Sequence, residues 1–260
     1  MILPRIIPVL LLEKNKLIQT KKFEYLKYLG DPINALRVFN DKKVDELVFF
    51  DIGATVNNLE PNYELLKNIS KQSRMPLCYG GGVKNLFQFE KIIKLGFEKV
   101  SMSTSAILDP KILKKIVNNF GSQSVIITLD VKIQNDKYFV YIHNGKIRID
   151  IEIPKLIKIL QDYGVGEIIF NLIDRDGMKN GYDLNFIKSI KDLLNIPFCI
   201  LGGANNYQDF ELVLKNFGLV GLCAGTMFSL KGKFNSVLLQ YLNESDKINL
   251  QKVLIEKFNN

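Results

Sequence analysis

The sequence predicts a (β/α)8 barrel, the TIM barrel, built as a single domain over residues 1–260. Short β-branched and apolar runs bounded by turn residues alternate with longer stretches of helical period, the pattern of a parallel sheet with crossover helices. Those runs number eight, enough to close such a sheet on itself. The chain also repeats itself: MPLCYGGGVKNLFQFEKIIK from Met75 aligns with IPFCILGGANNYQDFELVLK from Ile196, and VDELVFFDI from Val44 aligns with VGEIIFNLI from Val165 at the same offset. Pro76/Pro197, Cys78/Cys199, Gly81/Gly202, Gly82/Gly203, Asn85/Asn206 and Phe89/Phe210 coincide, so two similar halves related by an approximate twofold axis are expected.

The elements follow in order. A strand over 5–12 leads to a helix over 32–42, opened by Asp31-Pro32, an N-cap residue with proline behind it. Strand 46–52 precedes helix 63–71, and strand 76–79 precedes helix 86–94, each helix entered through an asparagine (Asn62, Asn85). Strand 99–102 is followed by a helix over 110–118. After the fifth strand, 124–131, the rhythm breaks: 138–142 and 146–149 around Asn144-Gly145 read as a β-hairpin inserted near 137–149. Helix 152–162, strand 167–173, helix 184–194, strand 197–201, helix 207–216, strand 220–223 and a helix over 235–243 complete the eight units.

Composition narrows the chemistry. At 47% hydrophobic and 24% charged residues the chain is a globular sequence with a substantial core, which excludes disordered and collagen-like architectures. Its longest apolar run, 6–12, falls short of the roughly 20 residues that span a bilayer, and no leader pattern opens the chain; a cytoplasmic protein with no membrane association is expected. Cys78, Cys199 and Cys223 form an odd set without metal-ligand spacing and are expected as reduced core residues. The lone histidine, His143, removes His-based triads and zinc clusters, leaving carboxylates and backbone amides; no metal and no cofactor are expected. The formal charge of +8 is scattered over amphipathic helices (Lys111, Lys114, Lys115; Lys155, Lys158; Lys188, Lys191) rather than gathered in an aromatic-interleaved stripe, so nucleic acid is not an expected partner.

In a barrel of this kind chemistry sits at the C-terminal ends of the strands. Gly80-Gly81-Gly82 follows the third strand and Gly202-Gly203 the seventh, and the next strands end in Ser103-Thr104 and Ala224-Gly225-Thr226. Glycines there let backbone N–H groups approach an anion, and the repetition points to two anion cradles on opposite sides of one mouth; a single glycine run would read equally well as a tight turn. Asp51 ends the second strand and Asp130 the fifth. Asp130, following the apolar run 125–129, is the candidate for acid/base work, with a loop cap as its other reading. Asp176, beside Gly177, is either a turn residue or a ligand contact. The repeat places Leu11 opposite Asp130, so a second acid is missing. Near the N-terminal ends, Arg5, Glu46, Lys99 and Glu167 are expected to form an ion-paired ring across the barrel floor, since Glu46 and Glu167 match in the repeat.

The segments RIIPVLLL, GDPINA, DELVFFDI, EKVSMSTSA, FGSQSVIITLDVK and DRDGMKNGYDL, with the two glycine turns, resemble the HisF family, the cyclase subunit of imidazole glycerol phosphate synthase, over essentially the whole chain. The resemblance implies a barrel that receives ammonia from a class-I glutaminase docked at the floor and joins it to a bisphosphorylated substrate at the mouth. It implies that Arg5, Glu46, Lys99 and Glu167 form the ammonia gate, with Glu98 nearest the partner. It makes Gly82, Ser103 and Thr104 one phosphate site and Asp176, Gly177, Gly203, Ala224 and Gly225 the other, and it makes Asp130 one of two catalytic aspartates. The other aspartate is replaced by Leu11 and a loop lysine by Gln19, while Ser103, Asn171, Leu201 and Gly225 replace other polar side chains; Leu11, Asp51, Asn171 and Leu201 are expected to line the site. LLLEKNKLIQTKKFEYLKYLGDPINA is similar to a HisF-like branch of surface-polysaccharide formation, which implies conversion of an acetamido to an acetamidino group on a phosphorylated or nucleotide-linked sugar, with a third, sugar-amidating protein. The alternatives are the histidine cyclase itself and a non-catalytic scaffold that activates a glutaminase.

Overall fold

The computed structural model describes residues 3–259. Eight parallel strands close into a barrel: Ile6–Glu13, Leu47–Asp51, Leu77–Gly80, Lys99–Met102, Val125–Gln134, Glu167–Leu172, Phe198–Leu201 and Gly221–Ala224, with the first pairing both the second and the eighth. These are the eight expected runs, and the architecture is the (β/α)8 barrel. Apolar side chains divide into two layers by the period-two alternation of a strand. One set packs under the outer helices; the other fills the lumen with Ile7, Val9, Val48, Cys78, Ile126, Ile169, Cys199, Leu201 and Cys223. All three cysteines are buried and free, inside the barrel rather than between sheet and helices. None of the described helices is long and apolar enough to cross a membrane.

Helices Pro32–Asp41, Tyr63–Gln72, Leu86–Lys94, Lys111–Phe120, Ile153–Asp162 and Tyr207–Phe217 lie where they are expected, all but the fourth and fifth opened by a side-chain cap. Asp31, Asn62, Asn85 and Asn206 each accept a first-turn backbone N–H. Two expectations are corrected. The helix expected over 184–194 ends at Ile190 and continues as a single 3-10 turn, Lys191–Leu193. The helix expected over 235–243 is absent: Ser236–Val237 pairs with Leu230–Lys231, Leu238 and Gln240 donate to the Ser229 and Phe228 carbonyls, and the helix is Glu244–Asn259. Asn243 is the reason, since its side chain accepts from the Asp246 N–H at 2.8 Å; it starts a helix instead of ending one.

Two antiparallel additions rise above the mouth. The fifth barrel strand extends to Gln134 and pairs with Lys137–Ile142, which pairs with Ile147–Arg148, so the expected insertion forms a three-stranded ribbon with the barrel. A second ribbon has no sequence signal: the first strand runs into Lys16–Lys21, which pairs with Glu24–Gly30. Its turns, Lys14-Asn15 and Lys22-Phe23, hold positive φ (49° and 65°; 52° and 67°). Lysine and phenylalanine are uncommon in that conformation.

Candidate functional site

At the N-terminal end of the lumen the four expected charges meet. Arg5 donates to Glu167 at 2.5 Å and to Glu46 at 2.9 Å, and Lys99 reaches Glu46 at 2.9 Å and Glu167 at 3.1 Å. The result is a closed alternation of two cations and two anions, with Cys199 Sγ donating to Glu167 from the lumen side at 3.1 Å. Burial works to raise the Glu167 carboxyl, but the Arg5 and Lys99 bonds outweigh it and hold the group below the usual range. Lys99 is raised: burial acts against its charge, and Glu167 and Glu46 overcome it. Glu98 stands exposed next to this ring and accepts the Leu77 N–H at 2.7 Å, which secures the entrance of the third strand.

At the C-terminal end lies a cavity of about 470 Å³. Of the residues singled out from the sequence, Leu11, Asp51, Gly82, Ser103, Thr104, Asp130, Asn171, Asp176, Gly177, Leu201, Gly203, Ala224 and Gly225 all contribute to its wall. Asp174, two residues before Asp176, lies off this wall; it accepts the Ile133 N–H at 2.7 Å and steadies the ribbon above the fifth strand. Asp130 meets Asn171, whose amide donates to it at 3.0 Å, and burial pushes its carboxyl up to about 7. Asp51 is raised by burial too, but it is occupied as an N-cap for the short helix Ile52–Val56, accepting from Gly53 and Ala54 at 3.1 Å. Asp176 resolves as an anchor for the loop: it accepts from Thr20 Oγ1 at 2.7 Å and the Phe23 N–H at 3.1 Å, which partly offset the upward push of burial.

The glycines divide by role. A Cβ on Gly203 would stand 2.1 Å from the Gly181 carbonyl oxygen, and one on Gly82 would stand 2.8 Å from that of Leu59, so both admit close backbone approach at positive φ. Ser103 opens the short helix Thr104–Leu108 without using its hydroxyl as a cap. Thr104 Oγ1 accepts the His143 N–H at 3.3 Å.

Sequence reasoning misses several of these residues. His143, read from the sequence only as excluding His-based triads and zinc clusters, sits with Asn144 on the cavity wall, because the extended fifth strand carries the ribbon's turn back over the mouth. The Asn144-Gly145 turn is the available signal. Thr20 and Phe23 reach the wall through the unsignalled first ribbon, and the Ser101–Thr128 hydroxyl pair at 2.7 Å lies buried in the lumen.

Comparison with known proteins bears on the whole arrangement. Residues 5–235 match the family described as histidine biosynthesis protein. The chain is 42% identical to the "Putative imidazole glycerol phosphate synthase subunit HisF" of Leptospira interrogans, covering 95% of this chain and 98% of that protein. It is 41% identical to the "Putative imidazole glycerol phosphate synthase subunit hisF3" of Vibrio vulnificus, covering 95% and 96%. It is 34% identical to the imidazole glycerol phosphate synthase subunit HisF of Clostridium botulinum, covering 89% and 92%. With matches of this length, the chain belongs to the histidine biosynthesis family as a HisF-like barrel.

Proposed function

We propose that this barrel is the synthase subunit of a glutamine amidotransferase: a class-I glutaminase docks on the floor beside Glu98, and ammonia passes up the lumen to an acceptor at the mouth. The acceptor is a phosphorylated or nucleotide-linked sugar whose acetamido group becomes acetamidino, with a third protein activating the departing oxygen. The observation that carries the reading is a polar axis through an otherwise largely aliphatic lumen. Lys99 and Glu167 mark its foot, Ser101 and Thr128 its middle, and Asp130 with Asn171 its top. Lys99 and Ser101, and Thr128 and Asp130, lie two residues apart on their strands, a rise of roughly 6.6 Å per step, and Glu167 and Asn171 span two such steps, so a small hydrogen-bonding molecule meets a partner at each level.

Leu11 weighs against closure of an imidazole ring, which calls for two opposed proton-transfer groups. Asp130 alone, with its proton affinity near neutral pH, suits a single proton transfer from an attacking amine. The test uses glutamine labelled with 15N in its amide, the glutaminase, this chain, the amidating protein and a nucleotide-linked acetamido sugar in excess unlabelled ammonium. The expected amidine carries 15N well above the bulk ratio. Label at the bulk ratio would contradict channelling.

A further inference from the structure

The net charge of the chain is gathered at the mouth. Three segments form a rim above the cavity: residues 14–30, which hold the first ribbon, residues 132–148, which hold the second, and residues 231–238, which follow the eighth strand. The first carries five lysines and one acidic residue, the second four basic residues and one acidic, and the third two lysines and no acid. Taking these eleven cations and two anions from the chain's 35 and 27 leaves the rest of the protein balanced at 24 and 25, so the +8 of the whole chain sits on the rim. Most of these side chains are exposed, and among the described residues their ion pairs come down to Arg148 with Asp150 at 3.7 Å. The segments make one surface. Lys27 Nζ donates to the Asn235 carbonyl at 2.9 Å, and a Cβ on Gly145 would lie 3.2 Å from the Phe23 ring, so the third segment and the second ribbon both meet the first. Large apolar side chains stand among the charges: Tyr25, Tyr28 and Phe234 on the rim, with Leu59, Phe87 and Leu108 in the segments that follow the second, third and fourth strands, are 51 to 86% exposed.

Exposed aromatic groups ringed by charge mark a contact surface. A second copy of this chain does not fit it, since a twofold contact through the rim would set like charge against like. A bilayer is flat and would meet the ribbon tips, whereas Phe87 and Leu108 lie on helices of the barrel itself. An acidic protein face suits both the charge and the relief, and the field of the rim would steer it there. Ammonia leaving the lumen is lost to water unless its acceptor is held against the mouth. We propose that the rim docks the protein that holds and activates the acceptor, through an acidic face of that partner framing an apolar centre, so that the barrel lies between a glutaminase at its floor and an amidating protein at its mouth. This rests on the reading of the lumen as an ammonia path.

The test measures binding of the full chain to the amidating protein of the same organism by calorimetry and sedimentation, with the glutaminase present and without it. One-to-one binding is expected in both cases, weakened at least tenfold when salt rises from about 50 to about 500 mM, and at least tenfold by Lys231→Glu with Lys233→Glu and by Phe87→Ser with Phe234→Ser. Circular dichroism and unaltered glutaminase binding show that these variants keep the fold and the floor. Affinity indifferent to salt and to both pairs of substitutions, or competition with the glutaminase, would overturn the proposal, as would binding to phosphatidylglycerol vesicles as tight as binding to the protein. Absence of a complex would overturn it too, and the 15N experiment then separates the two readings: an enriched amidine leaves the ammonia path standing without this surface, and an amidine at the bulk ratio removes both.

Discussion

Burial with a single neutral donor sets Asp130 apart from Asp51 and Asp176. Asp51 and Asp176 spend their lone pairs on backbone and hydroxyl donors, whereas Asp130 has one neutral amide, that of Asn171. Its folded-state value of about 7 lies above the ordinary 3.8, so between about pH 4 and pH 7 the native state holds a proton the unfolded chain has released. Stability from this group is therefore full at low pH and falls as pH rises through that window. Asp130→Asn is expected to stabilise the fold at pH 8 by as much as about 4 kcal/mol, because each tenfold difference in proton affinity between the two states is worth about 1.4 kcal/mol, and to change little below pH 4. Urea unfolding at the two pH values checks this; equal stability at pH 8 would show the carboxylate to be well solvated. Leu11 carries the second residue-scale prediction. A side chain with no proton to exchange leaves cyclisation of the histidine intermediate at least about 100-fold below that of a two-aspartate cyclase, measured with saturating ammonium.

At the scale of elements, legibility in the sequence depends on whether a segment uses standard local chemistry. Asn62, Asn85 and Asn206 announce their helices because an amide cap has a fixed place relative to the first turn. Asn243 follows the same rule, yet the apolar residues before it suggest a helix that in fact begins after it. The first ribbon is illegible: Lys22-Phe23 lacks the Asn-Gly signature, and its conformation is imposed by Asp176, more than 150 residues away in sequence. The glycine turns read as anion cradles, but at position 203 the residue is also required by a carbonyl 2.1 Å from a would-be Cβ. Gly203→Ala is accordingly expected to cost roughly 3 kcal/mol or more through contact and positive φ together. Gly225→Ala, at φ −101° with 3.3 Å of clearance, is expected to cost under about 1 kcal/mol. Chemical denaturation of both variants tests the difference, and equal losses would contradict the assignment of close approach to position 203.

Across the whole molecule, the internal repeat makes the barrel readable and also marks where symmetry fails. Glu46 and Glu167 are repeat partners and meet the same two cations at the floor, so the acids there keep the twofold relation, whereas Arg5 and Lys99 have no charged counterpart in the other half. At the mouth, Leu11 stands at the repeat position of Asp130, and Gln19 of the first ribbon accepts from Ser229 beside Gly225. Sequence alone shows the substitution of residue 11, but the seat of the first ribbon depends on the Thr20–Asp176 and Gln19–Ser229 contacts, which no local pattern records. The floor ring and the acid at the mouth matter to function only if a glutaminase is coupled to them. The most direct measurement is the rate of glutamine hydrolysis by the class-I glutaminase of the same organism, with and without an equimolar amount of this chain, alongside sedimentation of the mixture. A one-to-one complex and a several-fold higher rate are predicted, both reduced by Glu98→Lys on the proposed docking face. A rate indifferent to the chain, with the two proteins sedimenting separately, would contradict the coupling of floor to mouth.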